Sequence, residues 1–251
     1  MRIVAGMWRG RRLIAPDGAL TRPTSDRARQ ALFDMLMHAP WAGPEAIQGA
    51  QVLDAFAGTG ALGLEALSRG AAHATFMEQD PAALCVLRAN IAACRAEPLC
   101  TVVAADALTG GGQGEGMTHT PSGQPRPVPP LWPAAAPPGP APKPSWPAKA
   151  GHRRLDGTRK GVDARDKPGH DGFPPTPVAA KPRCPCTLTF LDPPYHRELI
   201  PQALAALSGA GWIGLGTLIV AETSRDECAP NATPLAERIY GAARITIWRM
   251  N

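Results

Sequence analysis

Residues 52–65 constrain the fold more than any other stretch of this chain. Val52-Leu53-Asp54-Ala55-Phe56 is a short apolar run that enters a turn carrying glycine at 58, 60 and 63. A helix over 61–69 follows at once, with Leu62, Leu64 and Leu67 apolar and Gly70 placed to stop it. The same rhythm then repeats. A strand over 74–77 leads to Asp80-Pro81, an N-cap with proline at the first helical position, and Leu84, Leu87, Ile91 and Cys94 continue at helical spacing. Further strands are expected over 101–104, 187–191, 217–221 and 243–248, with a helix over 197–208. Strand and helix alternate throughout, which argues for an open α/β sheet with right-handed crossovers.

Ahead of this pattern, residues 1–40 read as a separate basic extension. Two short strands, 2–5 and 11–15, flank a turn over 6–10, and Ser25 can cap a helix running to about His38 with Ala28, Leu32, Met35 and Leu36 on its apolar side. Residues 1–38 hold seven Arg against three Asp, a net +4, whereas 39–110 are net −4 and 184–251 net −1. The overall charge of +5 therefore comes from two appendages on a mildly acidic body. A basic N-terminal arm suits phosphate contacts.

The second appendage, 110–183, is net +6 and holds seventeen of the twenty-nine prolines and twelve of the twenty-six glycines. No helical or alternating period survives there. Such a composition buries too little apolar surface to offset its ordering entropy, so the expectation is a disordered insertion, with a basic tether for RNA as the functional alternative. Loop closure grows only logarithmically with length, so a fold tolerates it. The domain expectation is then 1–40, a catalytic body of 41–109 with 184–251, and the insertion between.

Several classes are disfavoured. No run approaches the ~18 apolar residues of a membrane span. The N-terminus lacks a signal-peptide core, so a cytoplasmic protein is expected. The six cysteines, with Cys184 and Cys186 the only close pair, lack disulfide density or C-x-x-C spacing, and the six histidines form no ligand set, so no metal is expected.

Open α/β sheets bind ligands at the carboxyl ends of strands, where strand order reverses. Gly58 and Gly60 let a ligand lie against backbone in the Asp54–Gly63 turn. Its G-x-G-x-x-G spacing also fits a dinucleotide site, a weak match alone. Asp54 at the mouth of the turn would repel a pyrophosphate but suit the cationic methionine end of S-adenosylmethionine. Glu78 ends the next strand, placed for two ribose hydroxyls, and Asp106 ends the third, placed for an adenine amino group. Phe56 and Thr59 complete the cofactor set. A loop cap is the plainer reading of Asp54.

Leu191-Asp192-Pro193-Pro194-Tyr195 ends the fourth strand. An exocyclic base amine is a poor nucleophile because its lone pair is delocalised into the ring. Asp192 and the Pro193 carbonyl could accept its two N–H bonds and draw the nitrogen toward tetrahedral geometry. The prolines stiffen the turn, and misplacing reacting atoms by about 1 Å can cost on the order of 10²-fold. Tyr195 can stack on a base taken out of its helix, with His196 a possible neighbour. An ordinary turn after a strand is the alternative.

On these residues the chain resembles the class I methyltransferases and, within them, the RsmD-type 16S ribosomal RNA guanine-N2 methyltransferases. The specific match is Arg2-Ile-Val-Ala-Gly6-x-Trp8-Arg-Gly10-Arg-Arg-Leu13, then Arg22-Pro-Thr24-x-Asp26-Arg27-x-Arg29 and Ala31-Leu-Phe33. The resemblance covers 1–109 and 184–251. It implies a Rossmann-like, mostly parallel sheet with the last strand antiparallel, and methyl transfer from S-adenosylmethionine to a guanine N2 of 16S ribosomal RNA within a small subunit or assembly particle; direct in-line transfer is the expected mechanism and a monomer the default. It places Asp54, Gly58, Gly60, Glu78 and Asp106 on the cofactor and Asp192 to Tyr195 on the base. Gln30 departs from the acidic residue expected after Arg29. Trp8, Arg9, Arg11 and Arg12 are the expected RNA contacts, or a solvated face. Arg22, Arg27 and Arg29 join them, or orient the acidic cofactor loop. The rival readings are an adenine-N6 DNA methylase, a protein-glutamine methylase, a non-catalytic RNA-binding assembly factor and an NAD-binding oxidoreductase. A cytosine-C5 route is rejected because Cys186 precedes its strand, away from the crevice.

Overall fold

The computed structural model describes residues 1–15, 26–110, 185–194, 198–227 and 233–251. The chain divides into two units, Met1–Gly114 with Pro175–Asn251, and Glu115–Pro174. Apart from Gly110, the expected insertion lies outside the described residues, as do Arg22, Ser25, Tyr195 and His196.

In chain order the elements are α1 (Asp26–His38), β1 (Gln51–Asp54), α2 (Ala61–Ser68), β2 (His73–Glu78), α3 (Pro81–Cys94), β3 (Cys100–Ala104), β4 (Leu188–Leu191), α4 (Leu199–Gly209), β5 (Leu218–Ser224), β6 (Ala236–Tyr240) and β7 (Ala243–Arg249). One seven-stranded sheet runs β3-β2-β1-β4-β5-β7-β6. The first five strands are mutually parallel, and β7 lies antiparallel to β5 and β6. This is the Rossmann-like, class I methyltransferase architecture. The chain leaves β1 toward β2 and β3, then returns to lay β4 on the other side of β1. The switch point is therefore the β1–β4 boundary.

The central strands are almost wholly buried because both faces are covered. Val52, Phe190, Val220 and Ile247 pack with the apolar sides of α1, α2 and α3, whereas Leu53, Leu191, Ile219 and Trp248 pack with α4. Alternation in each strand thus assigns a face to every residue at its end. α3 begins as its sequence dictates, with the Asp80 carboxylate accepting from Ala83 N at 2.7 Å ahead of Pro81.

Two expectations change. The N-terminal ribbon is reduced to one antiparallel bridge, Arg2 with Arg12. Val4 and Ala5 turn their N–H groups to the carboxylate of Glu65 instead of to a partner strand, at 2.8 and 3.0 Å. Nor does this piece stand apart, since Ile3, Leu13, Leu32, Phe33 and Leu36 are buried in the same core as the sheet. Strand β6 was not foreseen. It is an edge strand with no fully buried residue, so it carries no apolar signature. Among the described residues, no helix is long and apolar enough to cross a membrane.

Candidate active site

The turn after β1 is built by close packing and capping. Gly58 and Gly60 are both left-handed, at φ 52° and 78°. A Cβ at Gly60 would stand 2.5 Å from a Leu87 methyl, and one at Gly63 2.3 Å from the Phe76 ring, so both glycines let the loop and α2 lie down on their neighbours. Gly58 differs: nothing lies within 4 Å of where its Cβ would be. Open space there, beside a partly buried loop, is the kind of cradle a ligand fills.

Asp54 is buried at the end of β1, and its Oδ2 accepts from Gly63 N, in the first turn of α2, at 3.0 Å. The plainer capping role is thus present. One N–H does not offset the loss of water, and burial, with the charge of Glu78 adding to it, raises the carboxyl from 3.8 to about 7. Glu78 ends β2 beside the same loop. Its Oε2 accepts from Gly58 N at 2.8 Å, and its Oε1 from Gln79 N and Asp80 N at 2.9 and 2.8 Å. Asp106 caps the short 3-10 turn Ala107–Thr109 through Leu108 N at 2.9 Å. Thr59 and Phe56 are partly buried, and Phe56 packs with the α4-side cluster.

Asp192 leaves β4 beside this loop. Val52, Phe190 and Val220 share one face of the sheet, so two residues further on Asp54, Asp192 and Glu222 continue on that face. The register pairs Leu191 with Ala221, which sets Asp192 next to Glu222. Burial raises the Asp192 carboxyl well above the usual range, and the charges of Glu222 and then Asp54 raise it further. Pro193 is buried and Pro194 exposed. Glu222 was missed in the sequence because the strand was ended at Ala221. The signal was an acidic residue directly after the apolar run Leu218–Ala221, although β5 itself continues to Ser224. Cys186 is buried at the other end of β4 with its thiol pushed up to about 12, which disarms it as a nucleophile.

The arginines divide. Arg9, Arg11, Arg12 and Arg27 are exposed, although Arg11 also donates to the Ala93 carbonyl near the end of α3. Trp8 is half-buried against the core, so its ring is only partly open for stacking. Arg29 is a correction. Its side chain is fully buried, donates to the Arg2 carbonyl at 2.6 Å and to Asp26 at 2.7 Å, and stands 3.8 Å from Glu65, so it meets no RNA in this fold. Gln30 keeps an arginine-orienting contact, accepting from Arg69 at 3.3 Å.

A family model described as Conserved hypothetical protein 95 matches residues 1–115 and 175–249. The chain belongs to that family. The unmatched gap coincides with the body of the insertion. Ribosomal RNA small subunit methyltransferase D of Escherichia coli (strain K12) is 51% identical over 96 residues, spanning 38% of this chain and 45% of that protein. The Haemophilus influenzae protein of the same name is 28% identical over 252 residues, covering 99% of this chain and 93% of the relative. The solved structure of the Escherichia coli protein yhhF superposes with a TM-score of 0.61 at 28% identity, covering 99% of this chain and 97% of that one.

Proposed function

We propose that this family member transfers a methyl group from S-adenosylmethionine to the N2 amine of a guanine in 16S ribosomal RNA. The observation that carries the reading is the Asp192-Pro193-Pro194 turn, set at the switch point beside Asp54 and a glycine loop with an open cradle at Gly58. The names of the relatives support methyl transfer to small-subunit ribosomal RNA, the coarser part of the reading. The acidic end of β1 fits the donor's charge: burial, with Glu78 beside it, raises the Asp54 carboxyl to about 7, and a cation placed against it favours the ionised form. Gly58 would lie against the donor, Asp54 face its cationic end, Glu78 meet the ribose and Asp106 the adenine. The donor supplies an electrophilic methyl on sulfur.

Asp192 and the Pro193 carbonyl accept the two N–H bonds of the target amine. These bonds strengthen as the nitrogen becomes cationic, so they favour the transition state over the ground state. Buried Pro193 fixes the turn. The second carboxylate, Glu222, holds the local potential negative where positive charge develops. The departing proton passes to solvent, so no dedicated base is assigned. Arg9, Arg11, Arg12 and Arg27, with Trp8, would contact RNA. The test is tritiated methyl transfer to small ribosomal subunits from a strain lacking this enzyme, with nucleoside analysis. N2-methylguanosine is expected. Label in N6-methyladenosine would transfer the reading to an adenine methylase, and donor binding without label would favour a non-catalytic assembly factor.

A further inference from the structure

Asn90 lies in the middle of α3, between Leu87 and Ile91 on its buried side, and is itself fully buried. The mechanism above makes no use of it. Its Oδ1 accepts from Ile14 N at 2.8 Å, while its Nδ2 donates to the Ile14 carbonyl at 3.0 Å and to the Thr59 carbonyl at 2.9 Å. A primary amide suits this task. It pairs with both polar groups of one backbone residue, as a neighbouring strand would, and has one N–H left for a second segment.

The two segments so joined matter. Ile14 closes the arm, two residues beyond Arg12. Thr59 stands between the left-handed Gly58 and Gly60, in the loop that joins β1 to α2. The other limb of the arm is tied to the same loop by a second route. Glu65 holds Val4 and Ala5, and Ser68 accepts from Trp8 N at 3.0 Å and donates to the Ala5 carbonyl at 2.6 Å. Both residues belong to α2, whose first turn caps Asp54 through Gly63.

We propose that Asn90 is a positioning residue that couples the seating of the N-terminal arm to the conformation of the cofactor loop, so that RNA and donor each tighten binding of the other. Should the arm lift, Asn90 loses two of its three partners in a buried setting, and the hold on Thr59 is weakened with them. A ligand that requires a seated arm thereby favours a formed loop, and linkage makes the effect reciprocal. This rests on the reading of arm and loop given under Proposed function.

The experiment is a binding cycle. Calorimetry gives the Kd of S-adenosylhomocysteine with and without saturating small-subunit ribosomal RNA from a strain lacking the enzyme. The wild-type protein is expected to bind the probe roughly tenfold more tightly with RNA, within the usual range of such couplings. Asn90→Asp keeps the side-chain volume and the bond from Ile14 N but turns an oxygen toward two carbonyls. It should bind each ligand alone and lose the tightening. Leu207→Ala, in α4 on the opposite face, controls for stability and should keep it. Tightening retained in Asn90→Asp, absent from wild type, or lost equally in Leu207→Ala would overturn the proposal. A wild-type protein that binds neither probe would overturn the functional reading itself, a result distinct from those three.

Discussion

Two places on one side of the sheet bury carboxylates and treat them differently. At the joint between arm and α2, fully buried Glu65 accepts from Val4 N, Ala5 N and Arg69 Nε, with Arg29 at 3.8 Å. At the strand ends, Asp54 has the Gly63 N–H, its carboxyl stands near 7, and Asp192 is raised by burial and by Glu222 and Asp54. Natural folds surround a structural buried charge with donors, because an unpaired one is costly. A carboxylate held without that compensation is poised for a ligand that brings positive charge or N–H groups. The joint is therefore structure, and the ends of β1 and β4 are where the proposed function puts the chemistry.

The largest effect should come from removing the compensated charge. Glu65→Ala leaves Arg29 buried beside an empty site and two backbone N–H groups unpaired, a loss of about 3–5 kcal/mol. Thermal unfolding should fall by roughly 10 °C. A shift under about 2 °C would remove the distinction between joint and strand ends.

Asp54→Asn should act in the opposite sense on stability. The folded carboxyl keeps its proton up to about pH 7, whereas the unfolded one releases it near 3.8. Between those values the folded state binds more protons, so Asp54 makes the protein less stable as pH rises. Asparagine retains an oxygen for Gly63 N and lacks that slope. The variant should gain on wild type from pH 4 to pH 7 in urea titrations while losing donor affinity by about tenfold, the order of one lost charge contact. Parallel stability curves across that window would contradict the assignment.

The smallest effect belongs to the outward arginines. Arg9→Ala should lower the slope of log affinity for RNA against log salt by about 1, with stability unchanged within roughly 0.5 kcal/mol. Arg29→Ala, in contrast, should lower stability. Identical behaviour of the two would undo the division between inward and outward arginines.

That division also marks what the sequence made legible. Parallel strands buried on both faces are near-continuous apolar runs, so β1, β2, β4 and β5 were placed to within a few residues, and the glycine turn and Asp192 with them. Edge strand β6 shows mostly exposed residues and was invisible. Arg9 and Arg29 look alike in a basic segment. Only the packing of α1 on α2 decides which of them is enclosed. Glu65 and Asn90 fell on helices already explained by their apolar stripes, and no local pattern reveals that each reaches backbone some 60 to 76 positions away. Sequence periodicity reports faces and ends of elements; which polar residue joins two elements is a tertiary fact.

Asp192→Ala, assayed in parallel for turnover and for S-adenosylmethionine binding, separates the chemistry proposed for the Asp192 turn from the donor binding proposed for the glycine loop. Methyl transfer should fall on the order of 10²–10³-fold, the usual effect of deleting one oriented polar group in a transition state. Donor affinity should remain within a few-fold of wild type. Equal losses in both would contradict it, and would make Asp192 one more carboxylate of the donor site.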